Sequence, residues 1–495
     1  MTARRLVALM RAREVSPVEV LEAHLARAEQ TNARLNAIVT FADDALEQAR
    51  AAERALARGD APPLAGLPIT VKDTIDTRGL RTTGGSLARA GRVPEEDAPA
   101  VARLRRAGAI IFGKTNVSEL ALDYSCENPV FGRTVNPHDA ARTAGGSSGG
   151  CAAAVSACLS PASLGSDMTG SIRIPAHFCG VLGLRTTPAL FDSRGHFPPV
   201  EGACSLAASL GPLARTTDDL ELIFDALAYE PAEDSRGRHF QTSSPGGGPR
   251  RGGELNADEL GFRRGRGSTL GHGEGSGLEG EVSQLRGLRA AFYADDGVAP
   301  VTEETRGAVE AAARALSDAG CEVEEIAPPG VERGHEVWTK LFARAVRGIV
   351  RETYAGREEL CGPAARALLE REPPPLSLED FFGVWLERDR LRARLIEWMK
   401  ASPLVVAPVG AVAAFEHGAR KVEAGGETLP LFRAFSYSQT FNAYGLPAVC
   451  VPAGRMGEGL PVGVQIVGRP RGERLLLAAA RAVERALGGW QPPPI

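Results

Sequence analysis

The sequence predicts one large α/β domain with a mixed, mostly parallel central sheet covered on both faces by α-helices. Three observations point there. Asp97 to Arg106 carries a helical pattern and leads directly into Ala109-Ile110-Ile111-Phe112-Gly113, an apolar run of buried-strand length. Helix followed by strand is the order an α/β chain shows. Short apolar runs recur at Leu67 to Val71, Leu404 to Ala407 and Val462 to Val467, and each reads as a core strand. The 495 residues, 43% hydrophobic and 24% charged, have the profile of a globular chain able to bury a large core. Length alone would allow about two to four domains. The elements below read instead as a single domain over residues 1–495.

In chain order, Ser16-Pro17-Val18-Glu19 opens a helix. Ser16 can cap it, Pro17 suits its first position, and Glu19 completes a capping box. Val18, Leu21, Leu25 and Ala28 form its apolar stripe. A second helix is expected from about Asp43 to Arg58. Leu67 to Val71 is then a strand with Lys72 at its end. The Ala-rich run Cys151 to Leu159 predicts a helix whose N-terminus abuts a Gly-Ser loop. Residues 231–281 are rich in Gly, Ser and Arg and too poor in apolar side chains to offset ordering entropy, so a flexible surface insertion is expected there. Residues 302–399 read as a helical region carrying Trp338, Trp385 and Trp398, with the apolar composition of a substrate pocket. Leu475 to Leu487 reads as a closing helix.

Several function classes are disfavoured by composition. Fifty-seven basic against sixty-one acidic residues give a net charge of −4, with no basic block for a nucleic-acid partner. The eight cysteines form no C-x-x-C pair, so buried free thiols are expected rather than a zinc site or a disulfide framework. No metal and no cofactor are expected. No window approaches ~20 uninterrupted apolar residues, so no membrane span is expected. The first fifteen residues lack a signal-peptide core. Cytoplasmic residence follows as the default expectation.

The chemistry is expected at Lys72, Ser147 and Ser171. Their separations are 147 − 72 = 75 and 171 − 147 = 24 residues. Serine is a poor nucleophile without a base. A lysine and two serines, each serine beside glycine, can make a Ser–Ser–Lys proton relay. The loop Gly145-Gly146-Ser147-Ser148-Gly149-Gly150 lacks the lysine of a phosphate-binding loop and the spacing of a dinucleotide fingerprint. It matches G-x-S-x-G, which would call for a later acid and histidine; His335 and His417 are available for that rival. Met168, Thr169, Gly170 and Ser171 offer successive backbone N–H groups that can form an oxyanion hole.

Taken together, these blocks resemble the amidase signature family nearly end to end. The resemblance is carried by Leu64 to Asp73, Gly113 to Leu120, Phe131 to Pro137, Gly145 to Gly150, Gly165 to Gly183, Phe441 to Ala448 and Gly459 to Gln465. It implies that 1–495 is a single amidase domain of that family's fold. It implies Ser171 as the acylated nucleophile, Ser147 as the bridging serine on a cis peptide after Gly146, and Lys72 as the base. It also implies a cleft wall at Ser125, Cys126, Glu127 and Asn128, with Gly145, Gly146 and Ile172 contacting substrate beside the serines. Lys72 must be neutral to act. Burial disfavours the ammonium, and a value of about 7–8 would need roughly 4 kcal/mol at 1.36 kcal/mol per unit. The expected geometry is a buried amine between the two serine hydroxyls.

Thr169 departs from the family's usual glycine. A β-branched residue tolerates positive φ badly, so either the loop keeps its N–H directions with a negative φ or the oxyanion hole shifts. Asp167 and Arg173 are expected to pair behind the loop, and His177 to be structural. The implied reaction is hydrolysis of the C–N bond of a small-molecule amide, with esters and carbamates as further candidates. Two alternatives stand beside it. One is the glutaminase (A) subunit of an aminoacyl-tRNA amidotransferase, which needs partner chains and a cation for the glutamine carboxylate. The other is a non-enzymatic scaffold of the same fold.

Overall fold

The computed structural model describes residues 1–228, 284–371, 374–457 and 459–495. The segment 231–281, expected as an insertion, lies outside the described residues. Eleven strands form one sheet: β1 (Ile38–Phe41), β2 (Pro68–Lys72), β3 (Ile110–Thr115), β4 (Ala162–Asp167), β5 (Leu182–Arg185), β6 (Ser209–Ala214), β7 (Arg289–Phe292), β8 (Glu322–Glu325), β9 (Leu404–Pro408), β10 (Ala448–Arg455) and β11 (Pro461–Gly468). Their spatial order is β1-β3-β2-β4-β6-β5-β10-β11-β9-β7-β8.

The sheet is mixed, as expected, but not mostly parallel. Four pairings are parallel (β2 with β3 and β4, β7 with β8 and β9) and six are antiparallel. The reason is visible at β10 and β11. The turn between them closes through Met456 and Leu460, with Met456 N–H donating to the Leu460 carbonyl at 2.9 Å. A connection that short joins only antiparallel neighbours. The strand Ala448–Arg455 had no reading of its own in the sequence, so this pairing went unseen.

Side chains alternate across the sheet with period two and divide the interior into two cores. Ile69, Val71, Ile111, Leu404, Val406, Val462 and Val464 point into one, packed by the helices Ala3–Ala12, Pro99–Arg106, Thr217–Ala228, Glu303–Asp318 and Glu473–Leu487. Ile110, Phe112, Val405, Ala407, Ala448 and Cys450 point into the other, under the helices Gly149–Ser156, Arg173–Cys179, Val331–Tyr354 and Ser436–Ala443. Thr70 and Lys72 alternate with Ile69 and Val71, so they face this second core. The helix Pro17–Leu35 starts on the expected capping box. Glu19 N–H donates to Ser16 Oγ at 3.1 Å, and Ser16 N–H donates to Glu19 Oε2 at 2.7 Å. All eight cysteines are free thiols. No helix among the described residues is long and apolar enough to cross a membrane.

Candidate active site

β2 places Lys72 where its amine is fully buried. The amine nitrogen lies 2.8 Å from Ser147 Oγ, 3.0 Å from Ser166 Oγ and 3.3 Å from the Ser166 carbonyl, all within hydrogen-bond distance. Burial pulls its pKa down from 10.5 to about 8, against smaller opposing contributions led by Cys151 and Asp167. The expected depression of the lysine is therefore present. The amine does lie between two serine hydroxyls, but they are Ser147 and Ser166 rather than Ser147 and Ser171.

The loop carrying Ser147 turns on a cis peptide between Gly146 and Ser147. A side chain at Gly146 would collide with the Asp123 carbonyl, so that position has room for hydrogen only. The loop is tied to the nucleophile segment twice. Ser148 N–H donates to the Ser171 carbonyl at 3.1 Å, and Ser148 Oγ to the Ser166 carbonyl at 3.2 Å. Ser147 and Ser171 line the same cavity, which has a volume of about 100 Å³. No hydrogen bond joins their hydroxyls in this structure.

Ser171 sits between β4 and the helix Arg173–Cys179, on a turn built around the Asp167 carboxylate. That carboxylate accepts from Gly170 N–H at 2.9 Å, Ile172 N–H at 3.1 Å, Arg173 Nε and Nη2 each at 3.0 Å, and Asn442 Nδ2 at 2.9 Å. Arg173 in turn donates to Gln465 Oε1 at 2.6 Å. The Arg185 guanidinium stands 3.7 Å from the same carboxylate, and all three charged side chains have no solvent exposure. Burial alone would raise the Asp167 carboxyl. The Arg173 and Arg185 charges and the hydrogen bonds outweigh it and hold the group well below the usual carboxylate range. The expected Asp167–Arg173 pair is thus the middle of a larger network. Removing one member of a buried ion pair costs about 3–5 kcal/mol. Asp167→Asn is expected to lower the unfolding free energy by that amount, read as a lowered urea midpoint with an unchanged slope.

Thr169 is not among the residues with positive φ; Gly170 takes that role at φ 102°. Of the two expected courses, the backbone at Thr169 thus takes the one without positive φ. The Thr169 side chain adds a polar contact to the buried Tyr124 phenol, whose pKa burial pushes well above its usual range against hydrogen bonds from Gln439 and Thr169. Of the four expected oxyanion donors, Gly170 N–H is committed to Asp167. No hydrogen bond among the described residues occupies the N–H groups of Met168, Thr169 and Ser171.

The other expected contact residues fall outside the cavity. Glu127 is exposed and paired with Arg133, and Ser125 is half-buried. The Asn128 amide donates to Asn116 Oδ1 and the Val117 carbonyl, each at 2.7 Å. Cys126 is buried against Gly149, its thiol pushed up to about 12 by burial. Gly145, Gly146 and Ile172 support the two serine loops from behind. The chain reaches the cavity a few residues earlier, at Leu120, Ala121, Leu122 and Tyr124. Among the described residues of region 302–399, only the helix Val331–Tyr354 contributes to the wall, through Trp338, Val346 and Ile349. Phe432 and Leu210 join it from elsewhere.

His196, which the sequence reading did not single out, also lines the cavity. Its Nε2 lies 2.9 Å from Ser166 Oγ and its Nδ1 2.7 Å from the Pro198 carbonyl. The rival histidines are elsewhere: His335 bonds Gln439 and His417 bonds the Ala140 carbonyl, and neither lines the cavity. His177 is structural as expected. It lies 3.0 Å from the Val412 carbonyl and accepts from Gly463 N–H at 2.6 Å. Among the described residues no cluster of three His, Cys, Asp or Glu could hold a metal ion.

The α/β sheet thus places a buried lysine–serine cluster beside the cavity. The chain belongs to the amidase signature family, enzymes that hydrolyse C–N bonds: the Amidase family profile matches residues 19–248 and 275–477. Among curated proteins it is 34% identical to the A-type component of the glutamyl-tRNA(Gln) amidotransferase of Ralstonia nicotianae, over 98% of this chain and 97% of that one. It is 35% identical to the component of the same name from Thermus thermophilus, over 96% and 94%. Among solved structures it is similar to the peptide amidase of Stenotrophomonas maltophilia, at TM-score 0.75 and 26% identity over 100% and 98% of the chains. A structure described as a vestigial complex bearing on the origins of an s-triazine catabolic enzyme aligns at TM-score 0.82 and 28% identity, over 99% and 100%.

Proposed function

We propose that this chain hydrolyses the C–N bond of an uncharged amide with apolar flanks, through an acyl-enzyme on Ser171. Ser171 Oγ attacks the carbonyl while its proton passes to Ser147 and from Ser147 to Lys72. The Lys72–Ser147 hydrogen bond of 2.8 Å supports the inner half of that relay. The Ser147–Ser171 link is the one a bound substrate has to close; catalytic hydrogen bonds commonly tighten only in the substrate complex. The open N–H groups of Met168, Thr169 and Ser171 would hold the oxyanion, each such donor being worth about 3–4 kcal/mol in other enzymes. The amine then leaves with the relayed proton, and water cleaves the acyl group from Ser171. Esters and carbamates present the same carbonyl geometry and belong to the same proposal.

The observation that carries the substrate class is the lining of the cavity. Leu120, Leu122, Leu210, Trp338, Ile349 and Phe432 supply its apolar wall. None of the described lining residues is lysine or arginine, and the one carboxylate among them, Asp167, is bound on both sides by arginine. Glutamine would bring an α-carboxylate and an α-ammonium into this wall without charged partners, and unpaired charge is expensive to desolvate.

A second reading, the glutaminase component of a tRNA-linked amidotransferase, draws its support from the named relatives at 34% and 35% identity. In that reading partner chains complete the site. The two separate on one assay: p-nitroanilides, p-nitrophenyl esters, aryl carbamates and L-glutamine are each offered to the chain alone, and glutamine again with the other amidotransferase components. An apolar amide or ester is expected to exceed glutamine by at least about tenfold in kcat/KM. A preference for glutamine, alone or in the complex, would replace the first reading with the second. Cytoplasmic residence belongs to this proposal too, supported by eight free thiols in a chain with no disulfide.

A further inference from the structure

We propose that His196 is a positioning residue that sets the direction of proton transfer at Lys72, acting through Ser166. The inference rests on the reading of Ser171, Ser147 and Lys72 as the reacting set. It follows from counting donors and acceptors along one line of contacts.

The line starts at the Pro198 carbonyl, which can only accept. His196 Nδ1, 2.7 Å away, must therefore carry the ring proton. A neutral imidazole then has a bare Nε2, which can only accept. His196 is held neutral because burial lowers its pKa from 6.5 to about 4, the Pro198 bond opposing and the nearby Lys72 charge assisting. Ser166 Oγ, 2.9 Å from that nitrogen, must donate its proton to it. Having spent its proton, Ser166 Oγ is only an acceptor toward Lys72, 3.0 Å away. The Ser166 carbonyl, 3.3 Å from the amine, is likewise only an acceptor.

A neutral lysine amine has two N–H groups and one lone pair. Both N–H groups are claimed by Ser166, so the lone pair is left for Ser147 Oγ at 2.8 Å. That is the polarity the relay needs: Ser147 donates to the amine rather than accepting from it. Without the imidazole, the Ser166 hydroxyl is free to turn and donate to the lysine lone pair. Ser147 then has no base. After proton uptake the ammonium donates to all three oxygens, and the Ser166–His196 bond stays as it was, so the same line serves both halves of the cycle. The hydrogen bonds of His196 go to Pro198 and Ser166, not to Ser147 or Ser171.

The test is the rate at which a fluorophosphonate probe labels Ser171, followed by mass spectrometry over a range of probe concentrations. In that reaction the Ser171 oxygen forms a bond to phosphorus, the phosphorus–fluorine bond breaks, fluoride leaves, and the hydroxyl proton passes through Ser147 to Lys72. His196→Phe removes the acceptor and is expected to slow the maximal labelling rate at least about tenfold, with half-saturating probe concentration changed less than about twofold. His196→Gln keeps one acceptor and one donor and is expected to stay within about threefold of the unaltered protein. In a Ser166→Ala background the His196→Phe change is expected to add nothing. Equal losses in the two His196 variants, a loss confined to half-saturation, or an undiminished loss in the Ser166→Ala background would each overturn the proposal. Failure of the unaltered protein to label at Ser171 would overturn the underlying reading instead, and the proposal with it.

Discussion

Ser171→Ala is expected to reduce turnover of whatever amide or ester the chain accepts by at least about 10⁴-fold, equivalent to about 5 kcal/mol of transition-state stabilisation at 1.36 kcal/mol per decade. Geometry sets that expectation. Ser171 lines the cavity beside Ser147, next to Met168 and Thr169, and the N–H groups of all three are unoccupied by hydrogen bonds among the described residues. Ser147 cannot replace it as nucleophile without losing its place beside the lysine, since its oxygen is the one bonded to Lys72. The change removes a single oxygen from a residue 5% exposed, so folding should be unaffected and thermal melting should coincide with that of the unaltered chain. The assay is steady-state hydrolysis of the best substrate from the panel, with fluorophosphonate labelling as an independent readout. Residual activity above a few per cent would remove Ser171 from its role. Absence of labelling in the unaltered chain would instead favour a scaffold of this fold over an enzyme.

How far the site could be read from the sequence differs from residue to residue. Lys72 was legible only in combination, through its spacing of 75 residues to Ser147 and 24 more to Ser171 and through the blocks that resemble the amidase signature family. Asp167 and Arg173 were legible as a pair because they flank Ser171 and the family resemblance implies that they hold its loop. The remainder of that network was not, because Arg185, Asn442 and Gln465 come from distant segments and meet Asp167 only in the folded sheet. Ser166 and His196 illustrate the same limit. Thirty residues separate them, the Gly195-His196-Phe197 stretch carries no periodic signal, and their meaning lies in a 2.9 Å contact that no local pattern encodes. The cavity wall was misplaced by a few residues for a related reason. Ser125 to Asn128 resembles a cleft-lining loop of the family, yet the Asn128 amide is consumed by Asn116 and Val117, and the chain lines the cavity instead at Leu120, Ala121, Leu122 and Tyr124. The strand order was the least legible feature. Apolar runs identify strands but not their directions, and direction here depends on connections such as the short turn between β10 and β11.

Lys72→Met is expected to abolish activity and to remove a pH-dependent step in stability at once. With the amine gone Ser147 has no proton acceptor, so hydrolysis should fall by a factor comparable to that of Ser171→Ala. The stability effect follows from linkage. The folded-state pKa of about 8 lies below the value of 10.5 for an exposed lysine, a gap of 10.5 − 8 = 2.5 units, or about 3 kcal/mol. Below pH 8 both folded and unfolded chains hold the proton, and the fold carries the full penalty of a buried charge. Between pH 8 and 10.5 only the unfolded chain holds it, so stability rises with pH across that window and the penalty is gone above it. Lys114, also fully buried and lowered to about 8, adds a rise of the same sign in the same window. The comparison of Lys72→Met with the unaltered chain isolates the Lys72 share. At pH 7 methionine removes the buried charge but forfeits three hydrogen bonds to Ser147 and Ser166, worth about 1 kcal/mol each net of water. The two effects offset at pH 7, so the variant and the unaltered chain should unfold at similar urea concentrations there and diverge as pH approaches 10, where only the unaltered chain gains stability from Lys72. The same ionisation governs catalysis with the opposite consequence: kcat/KM for a neutral substrate should rise with pH to a plateau with its midpoint near 8. A midpoint below about 6, or a methionine variant that keeps the whole rise in stability between pH 8 and 10.5, would mean that the amine is not the neutral-seeking base from which this mechanism is built.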